Sequence, residues 1–411
     1  MKICAITHHQ LVNNPRLTRE ADALARAGHD VRIISVKQTP AQSALDARLA
    51  AGRAWRWQPL DIERTASGRP LWFMTGIRKK AARLLWKLFK NGDRLAGHAY
   101  TRTFSETVRK ICAEPTELII AHTQPMLAPA FFAARKMNCR WNFDFEDLLS
   151  EEYGEGIQDP DHQALVRYVE KRFIPKAFQV TVASACYAEW LNEHLGRADA
   201  VLVRNVPSLA GAPAKLAPGY PGGRGHLSLY WFSQSIGPLR GIEDALEALA
   251  LLEIPSQLHL RGELLPEFKP VLERHIERLG LGKRVFIHPR IEPERLPEEA
   301  ARHDIGLGLM QPCCLNHELA VPNKLYAYMM AGLAVIATDT RGHRSVFAEA
   351  PGIGALYTPG NGKMLAEKIM ELVSDPRKLA ACRVQALTLA AGTFNWEYEQ
   401  RTLIERIDRC A

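Results

Sequence analysis

The chain lacks most of the short signatures that announce a chemistry. No G-x-G-x-x-G follows a strand, which argues against a dinucleotide oxidoreductase. There is no P-loop, no G-x-S-x-G elbow and no zinc-type ligand spacing. Eight cysteines (Cys4, Cys112, Cys139, Cys186, Cys313, Cys314, Cys382, Cys410) are scattered, and the adjacent pair Cys313 and Cys314 is not a C-x-x-C. Several fall in predicted strands or apolar faces, so they read as buried, reduced thiols. No uninterrupted apolar run approaches the roughly 18 residues of a membrane span. No leader is expected either, because 1–36 already reads as strand, helix, strand. These absences favour a cytosolic protein. Glycine is missing between Met1 and Ala27, so the first strand-to-helix loop has no glycine-lined approach to a ligand. The stretch 76–95 holds a single acid, Asp93, among seven basic residues.

What is present suits two domains of about 200 residues in a 411-residue chain with ordinary apolar and charged fractions. The formal charge of +8 points to an anionic small molecule, a membrane surface or nucleic acid. No nucleic-acid motif accompanies it. The basic stretch GIRKKAARLLWKLFKNGDRL carries Ile77, Ala81, Leu84, Leu85 and Leu88 at helical spacing. Such a helix fits an anionic bilayer surface, or else a core with a solvated basic back.

In chain order, KICAIT and VRIISV read as strands flanking a helix over 17–27, the opening of a doubly wound sheet. Ligands in such sheets lie at the carboxyl ends of strands, which makes the loop at His8, His9 and Asn13 to Arg16 a candidate site wall. Arg16 is read there as an anion contact or as an ordinary first-turn residue. The strand 118–121 ends in His122, placed to meet a ligand. RWNFDF leads to Asp144 and Glu146, two carboxylates at i, i+2 on one face of a strand. They suit acid–base work, or one of them simply pairs with an arginine. Asp159 and Asp161 spell Asp-x-Asp, but in a loop with no preceding strand, and read as coincidence. The stretch 207–225 is rich in Pro, Gly and Ala without periodicity, a linker. A second strand, LSLYWF, then runs into IGPLRG, where Gly237 and Gly241 shape a turn and Arg240 stands beside a helix N-terminus, an anion cradle. VFIH ends a further strand before Pro289 and Arg290. Last, ELAVPNKLYAYMMAGLAVIA reads as loop, helix with Pro322 in its first turn, glycine stop at Gly332, and buried strand. The exposed N–H groups beside Asn323 and Lys324 form another anion site.

PNKLYAYMMAGLAVIA resembles the donor-binding segment of the retaining GT-B glycosyltransferases, and IGPLRG resembles their diphosphate-clamping turn. Ala334 stands where that family has proline, and Ala327 where it has the glutamate that binds the donor ribose. Glu318 is offset by one from the family's other glutamate. The resemblance implies an α/β, GT-B type fold of two Rossmann-like doubly wound domains facing a central cleft. Residues 1–206 would form the acceptor-side domain, 207–225 the linker, 226–394 the donor-binding domain, and 395–411 a helix crossing back. It implies transfer of a hexose from a UDP- or GDP-type donor to a glycan or other acceptor, with no cofactor beyond the nucleotide-sugar co-substrate. With Asp-x-Asp set aside and cations at the helix starts no metal is expected, and the basic helix suggests a lipid-linked acceptor of surface polysaccharide synthesis. Gly237, Arg240, Gly241, Arg290, Asn323 and Lys324 would hold the donor, with Arg290 near the base. Glu318 would bind sugar hydroxyls. His122 would act on the acceptor side with Arg16, Asp144 and Glu146. The missing carboxylate at Ala327 keeps a second reading open, a non-catalytic relative that binds nucleotide or glycan as a partner subunit. If the basic helix meets lipid, the cytoplasmic protein would sit peripherally at the inner face of a membrane; if it faces the core, it would not.

Overall fold

The computed structural model describes residues 1–152, 159–223, 225–292 and 295–409. Cys410 lies outside them. The chain divides into two compact units, Met1–Val203 with Gln400–Ala411, and Arg204–Glu399.

In the first unit the strands are, in order, β1 (Lys2–Ile6), β2 (Asp30–Ile34), β3 (Val36–Lys37), β4 (Arg56–Trp57), β5 (Leu60–Asp61), β6 (Leu118–His122), β7 (Arg140–Phe145), β8 (Gln179–Val182) and β9 (Val201–Leu202). Seven form one parallel sheet ordered β4-β2-β1-β6-β7-β8-β9, while β3 and β5 pair separately. Helices cover a parallel sheet on both faces, and β6 (LIIAH) is accordingly buried along its whole length. The helix after β1 spans Pro15–Arg26, starting earlier than apolar spacing predicts. Asn14 caps it by accepting from the Leu17 N–H at 3.1 Å, and proline takes the first helical position. Strand order reverses between β1 and β6, where parallel sheets open a crevice at the carboxyl ends.

The second unit repeats the plan with β10 (Leu227–Ile236), β11 (Ser256–Leu264), β12 (Val285–His288), β13 (Ile305–Gly308), β14 (Ala334–Thr338) and β15 (Gly354–Tyr357), ordered β12-β11-β10-β13-β14-β15 and parallel throughout. The two-residue period of β10 sends Leu227, Leu229 and Trp231 into one core cluster and Tyr230 and Phe232 into the other, one on each face. Here the reversal lies between β10 and β13.

Residues 207–223 do not run free as the linker expected over 207–225. They are packed on the second unit, where the Tyr220 N–H bonds Asp304 at 3.1 Å and Leu216 lies against Gly332. Backbone bonds and apolar contact replace the solvent that their composition suggests.

Candidate functional site

The loops at the second unit's strand reversal hold most of the predicted donor residues. After β10 the chain turns through 237–241 into the helix Ile242–Leu251. Gly241 has φ of 70°, and a Cβ there would stand 2.4 Å from the Leu309 carbonyl oxygen. Only glycine lets this helix start against the loop that follows β13. Asp244, buried in its first turn, ties the neighbouring loops to it. Its Oδ2 accepts from Gln311 Nε2 at 3.0 Å, Tyr357 OH at 3.0 Å and the Gly360 N–H at 2.9 Å. Arg240, just ahead of Gly241, is exposed.

The Asn323–Met330 helix starts one residue later than the sequence suggests, with Pro322 as its N-cap. It is seated on β13 because Gly306 has no side chain. A Cβ there would stand 2.2 Å from the Tyr328 ring, whose hydroxyl donates to the Leu307 carbonyl at 3.2 Å. That seating fixes Lys324, whose Nζ lies 4.6 Å over the ring of buried Trp231. Burial, and then the neighbouring Arg240, bring the Lys324 pKa down to about 7. Arg240 and Lys324 are therefore close enough to repel. Among the described residues neither has a carboxylate partner. Two cations that feel one another and pair with no carboxylate among the described residues, at the starts of two helices, suit a multiply charged anion, with Glu243 and the internally bonded Asp244 as the acids of the first of those helices.

This sets a pH dependence. The anion needs the ammonium form, so the Lys324 contribution to affinity for such an anion is present below about pH 7 and falls as pH rises through it. Calorimetry between pH 6 and 8 should show wild type losing affinity relative to Lys324→Met by up to roughly tenfold. The ratio of the two proteins removes the titration of the ligand's own phosphate. A flat ratio would show that Lys324 does not touch the ligand.

Glu318 lies in the short helix Leu315–Leu319, half-buried. Its Oε1 accepts from the Arg341 N–H at 2.9 Å, so one of its oxygens caps the helix Arg341–Glu349. Sequence reasoning missed His343 in that helix. It is buried, and its Nδ1 donates to the Thr338 carbonyl at 2.7 Å. Burial pushes its pKa down to about 4, and Lys324 adds to the effect. The neutral ring leaves Nε2 as a bare acceptor, buried without a hydrogen-bond partner. A lone histidine carries no sequence signal for this. Ala327 is 7 % exposed and packed in the apolar cluster around Tyr326 and Met330. Arg290 follows β12 at the sheet edge, exposed and 3.9 Å from Glu263.

In the first unit the structure corrects the expected acceptor contacts. Arg16, His122 and Asp144 do converge at the strand reversal, with Glu20 as a fourth member that the sequence reading missed. Each is at most 2 % exposed. Arg16 forks onto Asp144 with bonds of 2.7 and 2.8 Å and donates to the Val203 carbonyl at 2.7 Å. His122 stands 3.2 Å from Glu20 and 3.3 Å from Asp144, and Thr181 donates to Asp144 at 2.6 Å. Burial opposes the charge on His122, but Glu20 and Asp144 outweigh it and hold the pKa at about 10. Burial also opposes ionisation of Asp144, yet Arg16 and His122 hold it far below the usual carboxylate range. Two cations and two anions thus neutralise one another away from solvent, which makes them positioning residues under the strand ends rather than acceptor contacts.

Glu146, expected on the same face as Asp144, differs. It is half-buried just beyond β7, and burial and then Asp147 push its pKa up to about 7. It can hold or release a proton near neutrality.

Two trios have metal-like separations among the described residues. Glu20, His122 and Asp144 do not fit a divalent ion, because Arg16 already occupies both oxygens of Asp144. The other is Cys313, Cys314 and His317, with Cys313 Sγ 3.1 Å from His317 Nδ1. Cys313 is exposed, so the buried-thiol reading fits Cys4, Cys186 and Cys382 but not this residue. Asp159 of the Asp-x-Asp sequence is a helix N-cap, accepting from the His162 N–H, and Asp161 pairs with Lys87 at 3.1 Å.

Residues 228–387 match the family model described as glycosyl transferases group 1, and residues 14–207 match the glycosyl transferase 4-like domain. Among solved structures, HepE of Anabaena in complex with UDP-glucose is similar at 16 % identity and TM-score 0.69, covering 100 % of both chains. Sucrose-phosphate synthase of Thermosynechococcus elongatus is similar at 16 % identity and TM-score 0.74, over 100 % of this chain and 98 % of that one. The lipopolysaccharide outer core galactosyltransferase WaaB, in its apo form, has 12 % identity and TM-score 0.64 over the whole of both chains. At such identities the likeness is one of fold. No curated protein sequence matches the chain.

Proposed function

The chain belongs to the GT-B glycosyltransferases, and from that premise we propose that it moves a hexose from a UDP- or GDP-type donor to a glycan or lipid-linked acceptor, retaining the anomeric configuration and needing no metal. The observation that carries this reading is the juxtaposition of Arg240 and Lys324 at the strand reversal of the second unit, without a carboxylate partner among the described residues. Transfer requires a diphosphate to leave with its charge stabilised. Arg240, Lys324 and the N–H groups that open the helices Ile242–Leu251 and Asn323–Met330 supply that stabilisation from fixed positions. Side-chain cations then do what a bound metal ion does elsewhere. HepE, a structural neighbour, was solved with UDP-glucose, which supports a nucleotide-sugar donor. Glu318 and His343 are the side chains for the sugar hydroxyls, Arg290 is the one near the base, and Glu146 is the acceptor-side carboxyl.

The test is release of free UDP or GDP from nucleotide sugars in the presence of acceptor glycans or lipid-linked saccharides. Turnover with either nucleotide supports the reading, and nucleotide release indifferent to every acceptor argues against it. Glu146→Gln should remove the limb of the kcat profile near pH 7 and lower the rate by roughly a hundredfold. An unaltered profile would take Glu146 out of the mechanism.

A second reading, a binding subunit without turnover, is favoured by two observations. Ala327 puts a packed methyl where the resemblance implies a carboxylate, and Glu318 caps a helix with one oxygen. Nucleotide binding by calorimetry with no release under any acceptor condition would select it.

A further inference from the structure

The helix Arg69–Phe89 is amphipathic the wrong way round for a core helix. Phe73, Ile77, Leu84 and Leu88, spaced at i, i+4, i+11 and i+15, face outward with Leu85 and Phe89 beside them. They are 44–71 % exposed. The inward face carries Thr75, Ala82 and Trp86 together with charge. Arg78 forks onto Glu106, and Arg83 reaches His162 Nδ1 at 2.9 Å. The core-facing alternative for this stretch is therefore excluded. The fold spends the polar side of the helix on internal bonds and leaves the apolar stripe in water. A contiguous apolar stripe of that size on a soluble unit marks a docking surface.

We propose that this helix lies in the plane of an anionic lipid bilayer, with Phe73, Ile77, Leu84 and Leu88 inserted among the acyl chains and Lys80 at the headgroups, beside Lys87 and Lys90, which share the single carboxylate of Asp161 at 3.1 and 3.8 Å and keep a net positive charge there. Charge decides for lipid. The helix has six basic residues (Arg69, Arg78, Lys79, Lys80, Arg83, Lys87) and no acid, in a chain of net charge +8. A second copy of the same face would set basic residues against basic residues, whereas acidic lipids complement them. No helix among the described residues is long and apolar enough to cross a membrane, so contact is in the plane rather than through it. On the inner edge Lys79 stands half-buried between Arg83 and Arg102, with no carboxylate partner among the described residues. It is a further cation for a phosphate presented at that surface. The inference deepens the function proposed above by naming a bilayer-borne acceptor. Its test reads binding without turnover, so the two readings fail separately.

The experiment is co-sedimentation of the full chain with vesicles of phosphatidylcholine, with and without phosphatidylglycerol, at low and high salt. Wild type should bind the anionic vesicles and release partly at high salt. The variant carrying Phe73→Ser, Ile77→Ser, Leu84→Ser and Leu88→Ser should lose roughly tenfold or more in partitioning. All four side chains are exposed, so the variant keeps its core, and circular dichroism checks that it folds. Lys80→Glu with Lys87→Glu should lose the preference for phosphatidylglycerol. Equal binding to neutral vesicles, or an unchanged bound fraction in the serine variant, would overturn the proposal. So would a wild-type dimer that the serine variant converts to monomer, which would assign the stripe to a second copy.

Discussion

Replacing Arg240 and Lys324 together by alanine should bring UDP or GDP binding below calorimetric detection while leaving the fold intact. Both side chains lie in strand-end loops or helix starts, and neither bonds a carboxylate among the described residues, so their loss strands no buried charge. A hydrogen bond to a charged phosphate oxygen contributes about 1.5–3 kcal/mol, so each single substitution should weaken binding roughly ten- to a hundredfold. The two effects should not add simply, because the groups repel in the free protein. Arg240→Ala removes the neighbour that lowers the Lys324 pKa, so Lys324 becomes more fully charged and recovers part of the loss. The Arg240→Ala protein should accordingly keep its affinity to a higher pH than wild type. If the double variant binds nucleotide within about twofold of wild type, the diphosphate sits elsewhere and the proposed donor site is wrong.

Arg16→Met should destabilise the first unit by about 3–5 kcal/mol, the cost of stranding a buried charge when one partner is removed. Methionine keeps much of the volume, so the loss reports charge rather than a cavity. The variant leaves Asp144 and Glu20 facing His122 alone in a site at most 2 % exposed. Guanidinium unfolding measures the change. Hydrogen exchange at the β6 and β7 amides assigns it to the right unit, since a two-unit chain need not unfold in one step. A loss below about 1 kcal/mol would mean that the cluster is not a network of interdependent charges.

The same cluster carries a pH signature. The folded pKa of His122, about 10, lies above its ordinary value of 6.5. Its stabilising contribution is then complete below about 6.5 and is lost as pH rises through about 10. The first unit of wild type should weaken across that window, and His122→Gln should remove the slope.

Particular residues show how far the sequence reached. The Asn323–Met330 helix, the left-handed Gly332 and the buried strand β14 were legible because each rests on a local rule: apolar spacing, a glycine stop, a continuous apolar run. The turn at Gly241 and the cation beside it were legible for the same reason. The meaning of Arg16, His122 and Asp144 was not. Arg16 and Asp144 are 128 positions apart, and no period in the sequence says that they will neutralise each other rather than meet a ligand. Asp144 and Glu146 share a strand-end sequence yet titrate in opposite directions, because Arg16 and His122 outweigh burial at Asp144 whereas burial, and then Asp147, prevails at Glu146.

The sequence by itself determined two doubly wound sheets, the strand ends that carry polar residues, and the existence of an apolar stripe in the basic stretch 76–95, whose helix runs over Arg69–Phe89 and stops at the left-handed Lys90. Side-chain spacing along one element specifies which residues share a face. Tertiary structure alone decided what covers each face: that Lys324 rests on Trp231 beside Arg240, that four charged groups of the first unit are spent on one another, and that the stripe of Phe73, Ile77, Leu84 and Leu88 is left in water. Burial and charge compensation depend on neighbours brought together from distant parts of the chain, and a local pattern carries no record of them.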